Sequence, residues 1–296
     1  MSLHCPTPNP PPMALNRQIE GKRGALYLGF ELDNRGRTIL RTLDRRAPMV
    51  VQQALYWDEQ MPQMACIYTL SSGGPLVDGD RYRREVHLAE GCEVHLASGA
   101  ATRIASMVYD RVEVENLVVL HQGAYLEWLP EPTIPSAHSR CHTSTELVVD
   151  SSATLFWGEV VCCGRLHHGE RFDFDSLSQH TLLRRPDGEV LARDVAEIVP
   201  SQEHPSTGGI LGTFTHWATI FVAAPAEQTQ ILANLYGAHF APESAMGVAR
   251  LRDDCGIVVR LLGHSAEELQ RSIRHLCSEF RRVVKGARLD ADFPWR

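Results

Sequence analysis

Three segments in the middle of the chain repeat one short pattern about every thirty residues. Each passes a small turn residue and continues with apolar residues at alternate positions, over Leu88–Leu96, Leu120–Trp128 and Val149–Trp157. Their turn residues are Gly91, Gly123 and Ser152, which lie 32 and 29 residues apart. Such a period is typical of stacked repeat units that each bury an apolar face on the next. Ordinary antiparallel hairpins with similar turns are the alternative interpretation, because short periodic runs are ambiguous.

The chain reads as β-strand from about residue 24 to 220 and as helix only near its end. Ala226–Tyr236 follows a proline and stops before a glycine, as helices often do. A second helix, about 265–285, is predicted by a capping box between Ser265 and Glu268. Its apolar stripe contains Leu269, Ile273, Leu276, Phe280 and Val283. The expected fold class is mostly β, a β-helix-like layered strand stack with a small C-terminal helical element.

Composition and termini limit the possible classes of protein. Residues 1–19 read as a proline-rich flexible tail, and 20–296 as a single β-rich domain, because no low-complexity linker divides them. The tail carries five prolines between Met1 and Pro12 and no apolar core of a signal peptide, so we expect a cytoplasmic protein. A net charge of −7 argues against nucleic acid or an anionic membrane as the main partner.

Motifs of enzyme active sites are absent, but possible metal ligands are plentiful. His138, Cys141, His142 and Glu146 lie within nine residues, and imidazole, thiolate and carboxylate together suit nickel or zinc. A metal-dependent enzyme that uses His138, Cys141 and His142 is therefore one possible function. The vicinal pair Cys162–Cys163 is a poor chelate, because adjacent strand residues point to opposite faces. The simpler interpretation is solvated loop histidines, with one buried and one exposed cysteine in that pair.

Several segments in sequence order resemble the urease accessory protein family UreD, called UreH in some bacteria. They are Gly73–Tyr82, Ala100–Arg103, Leu126–Pro135, Gly164–Phe172, Arg260–Gly263 and the terminal Pro294–Arg296. The resemblance covers about residues 20–296. It implies a β-helix-like stack and a non-enzymatic scaffold that binds apo-urease and recruits UreF and the GTPase UreG. It also implies that nickel(II) is guided toward the urease active site through an internal passage, with no tightly bound cofactor and no nucleic-acid or membrane partner.

By motif position, the resemblance suggests three residues that would hold nickel transiently: Asp80, Glu131 and Glu170. Each has a structural alternative. Asp80 would cap its turn, Glu131 would mark a surface kink between prolines, and Glu170 would pair with Arg165 or Arg171. For the partners of such a scaffold, Leu235–Tyr236 and the C-terminal helix are possible docking surfaces. A structural β-solenoid protein without a role in metal transfer is a further alternative for the whole chain.

Overall fold

A computed structural model describes residues 20–238 and 245–290 of the chain, so the tail and the Pro294–Arg296 motif lie outside the described residues. Within these ranges, a pair of β-sheets face each other. The first sheet has seven strands: β1 (Arg23–Leu32), β2 (Thr38–Arg46), β5 (Arg81–Leu88), β8 (Val112–Leu120), β11 (Arg140–Val149), β13 (Ser176–Arg184) and β14 (Val190–Ile198). Their spatial order is β14-β13-β11-β8-β5-β1-β2.

The second sheet has ten strands and carries the two helices. Its strands are β3 (Met49–Val51), β4 (Ala65–Ser71), β6 (Glu93–Ser98), β7 (Thr102–Ile104), β9 (Tyr125–Leu129), β10 (Pro132–Pro135), β12 (Thr154–Cys162), β15 (His216–Ala223), β16 (Ala245–Arg250) and β17 (Gly256–Gly263). The main path is β16-β17-β15-β12-β9-β6-β4-β3, and β10 pairs with β12 and β7. The helices are α1 (Ala226–Gly237) and α2 (Ala266–Lys285).

The strand register confirms the layered stack predicted from the repeat. The chain alternates between the sheets, and successive layers pair in parallel: β5 with β8, β8 with β11, β6 with β9 and β9 with β12. Val94 pairs with Leu126, and Leu126 with Leu155, so each layer is displaced by 32 and then 29 residues. These offsets equal the spacing of the turn residues. The turns stack as well, since Gly123 N donates to Ser152 Oγ at 3.0 Å.

One apolar core fills the space between the sheets, and a second lies between the ten-stranded sheet and the helices. The second contains four members of the predicted stripe of α2, namely Leu269, Ile273, Leu276 and Phe280, each with no exposed surface. Burying such side chains contributes about 1.5–3 kcal/mol each. Ser265 accepts the Glu268 N–H at 3.1 Å, as the capping box predicts. The Glu268 carboxylate reaches one residue further back than expected, to the His264 N–H.

Two expectations about buried side chains are wrong. Cys162 and Cys163 are both buried, because β12 is covered on one face by the opposite sheet and on the other by α2. Tyr236 is not available for docking, since it is 1% exposed and donates its hydroxyl to Leu276 O at 2.6 Å. All seven cysteines of the described residues are free and buried. Neither described helix is long and apolar enough to cross a bilayer.

Candidate functional site

A continuous row of polar side chains interrupts the apolar core between the two sheets. On the seven-stranded sheet it takes one inward-facing residue from each of five neighbouring strands: Arg84, Asn116, Thr145, Thr181 and Asp194. Arg84 Nε donates to Asn116 Oδ1 at 2.8 Å, and Asn116 Nδ2 donates to Thr145 Oγ1 at 2.9 Å. Arg84, Asn116 and Thr145 are therefore hydrogen-bonded from layer to layer along the stacking direction.

The ten-stranded sheet completes this row with Glu159, Thr219 and Arg260, which pair in register across β12, β15 and β17. We call these three residues and the five above the inner polar row. Contacts across the core join its halves. Gln179 on β13 donates to Glu159 Oε2 at 2.6 Å, and Arg260 on β17 forms an ion pair with Asp194 on β14. Arg260 also donates to Thr219 Oγ1 at 2.7 Å.

Glu159 is the carboxylate nearest the middle of the row. Burial raises its pKa to about 7, against the opposing charge of Arg84, and the nearby Asp194 raises it further. Arg260 and the hydrogen bond from Gln179 act in the other direction. A carboxyl group with this pKa gains or loses its proton near neutral pH.

A second buried polar group lies on the other face of the ten-stranded sheet, under α2. We call it the Arg281 cluster: Asp58, His95, Glu127 and Arg281, all at most 5% exposed. The Arg281 guanidinium binds Glu127 through two nitrogens, with Nε to Oε2 at 2.6 Å, and it binds Asp58 through a third. Tyr125 also donates its hydroxyl to Glu127 at 2.6 Å.

The charges of the Arg281 cluster hold Glu127 and Arg281 ionised. Burial acts to raise the pKa of Glu127, but the charge and hydrogen bonds of Arg281, with His95, hold it well below its usual range. The Arg281 pKa is correspondingly raised above its usual range, against the effect of burial. The cluster therefore ties α2 to β9 and to the loop that carries Asp58.

The structure buries Asp80 in its turn instead of presenting it outward. Asp80 has no exposed surface; it accepts the Lys22 N–H at 2.7 Å and the Val77 N–H at 3.0 Å. The Lys22 ammonium lies 3.3 Å from the same carboxylate. These are the contacts of a turn cap that also fixes the start of β1. A role for Asp80 in metal binding stays a prediction.

Glu131 is partly buried against α2 and is not a plain surface kink. Its Oε2 accepts from Gln270 Nε2 at 3.3 Å, while its Oε1 is buried and has no hydrogen-bond partner among the residues that the structure describes. Burial raises the pKa of Glu131 to about 7, and the Gln270 hydrogen bond only partly opposes it. Of the three residues suggested by motif position, only Glu131 has a buried carboxylate oxygen without a hydrogen-bond partner in the described part of the chain.

Glu170 forms an ion pair with Arg165, one of the two partners that the sequence suggested. Arg165 donates Nε to Oε2 at 2.8 Å and a second nitrogen to Oε1, and Ala137 N donates to Oε2 at 3.0 Å. The hydrogen bonds from Arg165 lower the pKa of Glu170. Arg171 instead donates to Thr213 O at 3.1 Å. The contacts fold the Gly164–Phe172 loop on itself, and the nickel role of Glu170 stays a prediction.

The histidine and cysteine ligands of the alternative metal site do not converge. His138 lies in a loop with 73% of its side chain exposed, and Cys141 points into the core between the sheets. His142 points to the opposite face, beside Ser178 at 3.1 Å. Among residues 20–238 and 245–290, no group of three or more histidine, cysteine or acidic side chains could hold a metal ion.

Sequence reasoning missed the inner polar row, although the repeat contains the signal for it. Arg84, Asn116 and Thr145 each interrupt an alternating apolar pattern at an inward position, and they are 32 and 29 residues apart. Glu159 does the same in the run from Leu155 to Cys163. The Arg281 cluster left no such signal, because Arg281 and Glu127 are 154 residues apart and meet only when α2 docks.

Comparison with known proteins decides the family. The model of the family described as "UreD urease accessory protein" matches residues 22–296. The chain belongs to the UreD family. "Urease accessory protein UreD 2" of Methylorubrum extorquens (strain PA1) is 36% identical over 96% of this chain and 93% of its own length. "Urease accessory protein UreD" of Photorhabdus laumondii is 33% identical, with coverage of 97% and 90%. "Urease accessory protein UreD 2" of Brucella suis is 34% identical, with coverage of 93% and 92%.

Membership of the UreD family supports a role in urease maturation. The family is one of accessory proteins and not of catalysts. The features that need a functional explanation in this UreD chain are therefore surfaces for partners and the polar interior of the stack, rather than a catalytic constellation.

Proposed function

We propose that the chain is a cytoplasmic scaffold that binds apo-urease, UreF and UreG, and that nickel(II) passes along its inner polar row toward urease. The single observation that supports the passage is the row itself. Eight hydrogen-bonding or charged side chains follow one line between the sheets from β5 to β14 and β17, and the line reaches solvent at its Arg260 end, where 44% of the arginine side chain is exposed. The scaffold role rests on the family resemblance.

The chemistry of the row suits a cation that must leave again. Nickel accepts oxygen and nitrogen donors, and tight chelation by several clustered ligands would oppose transfer. The row instead offers single carboxylates, Glu159 in the interior and Asp194 at one end, each next to an arginine. The neighbouring arginines weaken the hold of each carboxylate on a cation. Glu131, with its unpartnered oxygen, is the third site that we propose for transient binding.

The test is the nickel content of urease made from a complete maturation operon, with and without this chain. Nickel per urease and activity are measured on the same purified samples. We expect both to be lost only when the chain is missing. Equal loading without the chain would show that it has no role in maturation.

A point variant then separates the passage from the scaffold. Glu159→Gln keeps the size of the side chain and removes the charge, so we expect less nickel per urease while UreF and urease still co-purify. Glu197→Gln is the matched control, because Glu197 lies on the outer side of β14 with 64% of its side chain exposed. Loss of co-purification in Glu159→Gln would assign Glu159 to the structure, and normal loading would remove it from the passage.

The same assay tests the motif residues. If Glu170 takes part in transfer, Glu170→Gln lowers nickel loading without loss of the complex. If it only folds its loop through Arg165, Arg165→Gln has the same effect as Glu170→Gln and both weaken the complex.

A further inference from the structure

A cavity of about 300 Å³ lies between the sheets at the Arg84 end of the inner polar row. Its wall is formed by β4, β5 and β6 together with the segment Ala100–Arg103. Two backbone segments border the cavity, one around Leu76 and one around Arg103, and hydrogen bonds join them. Leu76 N donates to Arg103 O and Ala105 N donates to Leu76 O, both at 2.8 Å. A cavity of this size is at the lower end of the range for small-molecule sites.

The charges that line this cavity are all positive. Arg84 and Arg103 are among its lining residues, and no aspartate or glutamate of the described chain lines it. Neither arginine forms an ion pair with another described residue, although the charge of Glu159 reaches Arg84 through the interior. The Arg84 guanidinium inside the cavity and the exposed Arg103 at its rim, without a carboxylate among the lining residues, favour an anion there.

Arg84 is held in a fixed orientation at the back of the cavity. Its Nε donates a hydrogen bond to Asn116 Oδ1, and its guanidinium carbon lies 5.5 Å from the centre of the Trp128 ring. Fixing the guanidinium by one hydrogen bond and one aromatic face leaves its two terminal nitrogens as a preformed fork. Such a fork matches the two oxygens of a carboxylate, or two oxygens of a tetrahedral oxyanion.

Uncharged donors surround the same space. The hydroxyl groups of Thr69, Ser71, Ser98 and Thr102 belong to lining residues. Tyr82 also lines the cavity; it is 6% exposed, and its hydroxyl is buried without a hydrogen-bond partner among the described residues. Ser71 is close enough to influence the ionisation of Tyr82, but no hydrogen bond of acceptable geometry joins them. A buried hydroxyl without a partner costs free energy that a ligand oxygen would recover.

We propose that this cavity binds a small carboxylate or oxyanion, held by Arg84 inside, by Arg103 at the rim and by the hydroxyl of Tyr82. The proposal does not rest on the passage of nickel, although Arg84 belongs both to this cavity and to the inner polar row. A bound anion would add a negative charge beside Arg84 at this end of the row.

The test uses the purified full-length chain without nickel or urease, so its result is independent of the proposed function. Sodium acetate and sodium phosphate are titrated at constant ionic strength, with sodium chloride as the reference salt. Trp128 lies against Arg84 of the proposed site, so tryptophan fluorescence reports binding, and Trp128→Phe identifies the signal among the five tryptophans. Thermal unfolding gives a second readout, since a ligand that binds the native state raises the Tm.

We expect saturation by one of the two anions with a Kd of about 1 mM, the weak end of specific binding. A response to acetate and not phosphate assigns a planar carboxylate, and the reverse assigns a tetrahedral oxyanion. Arg84→Gln should weaken binding at least tenfold, and Arg84→Lys should weaken it as well, because lysine lacks the fork. Arg103→Gln should weaken it several-fold.

Arg35→Gln is the matched control, because Arg35 is exposed in the turn between β1 and β2, away from the cavity. It should leave binding unchanged. Arg103 is exposed, so Arg103→Gln tests the site even if Arg84→Gln does not fold. The proposal is overturned if neither anion gives a saturable response beyond that of chloride, or if Arg103→Gln and foldable Arg84 variants bind as well as the unaltered chain.

Discussion

Replacing Arg281 with methionine tests how much of the attachment of α2 depends on the Arg281 cluster. The substitution keeps helix propensity and most of the apolar stem. It removes a guanidinium that has no exposed surface and leaves Glu127, which also has none, without its main counter-charge. Breaking a buried ion pair from one side typically costs 3–5 kcal/mol. Glu127 keeps its contacts to His95 and Tyr125, and Asp58 keeps two backbone N–H donors at 3.0 Å. We therefore expect a loss of about 3–4 kcal/mol, within the lower half of that range.

The assay is urea unfolding followed by circular dichroism, with the neighbouring Arg282→Met as the control. Arg282 pairs with Glu279 on the surface of the same helix, and such a pair contributes about 1 kcal/mol or less. With an m-value of about 3 kcal/mol per M, Arg281→Met should lower the urea midpoint by about 1 M, and Arg282→Met by about 0.3 M or less. The double variant Glu127→Gln with Arg281→Met should recover some of the loss, because no unpaired charge stays buried at Glu127. Equal shifts for the two arginines, or a double variant that loses the sum of both single effects, would refute the reasoning.

Three further predictions concern stability. Because the folded pKa of Glu159 is about 7 and its ordinary value is 4.5, the folded chain binds one proton more than the unfolded chain between these values. The free energy of unfolding should therefore fall by up to about 3 kcal/mol as the pH rises from 5 to 8, and Glu159→Gln should abolish this component of the pH dependence in denaturant titrations. Ser265→Ala should cost about 1 kcal/mol by removing the cap of α2, and an unchanged Tm would show that the cap contributes nothing. Gly256→Ala should destabilise by about 1–3 kcal/mol, because its Cβ would lie 2.2 Å from Val222 O, whereas Gly247→Ala on the edge strand meets no atom within 4 Å and should change the midpoint little.

Local patterns predicted much of the fold because the stack is built from local repeats. Each layer is a short strand, a turn and another strand, and each pairs with the next layer at the same offset, so the spacing of Gly91, Gly123 and Ser152 already contained the register. The stripe and cap of α2 were equally local. The division into a tail, 1–19, and a single domain, 20–296, stays a prediction, since the tail lies outside the described residues.

The site was harder to predict than the fold because charge and burial are properties of the assembled layers. Asp80 and Glu170 look like available carboxylates in the sequence, but the structure surrounds them with Lys22 and Arg165. Glu159 looks like an ordinary strand residue, and only the covering of β12 by the opposite sheet makes it a largely enclosed acid. Conversely, Cys141 and His142 are adjacent in the sequence and look like two ligands of one metal ion. Because they are adjacent on one strand, their side chains point to opposite faces of the sheet and cannot bind the same ion.

The inner polar row is the feature of this stack that folding alone does not explain. A strand pair in a β-stack is stabilised by apolar side chains at inward positions, and most of the inward positions here are valine, leucine or aromatic. Replacing buried ionic groups by apolar residues of similar volume is often neutral or stabilising. In the row, the buried members are the neutral Asn116, Thr145, Thr181 and Thr219, while its four charged members are at least partly accessible. Its two arginines, Arg84 and Arg260, face Asp194 and a Glu159 carboxyl whose pKa of about 7 lets it gain or lose a proton near neutral pH. The net charge of the row is therefore set by the protonation of Glu159, which makes that carboxyl the one member of the row whose charge changes with pH near neutrality.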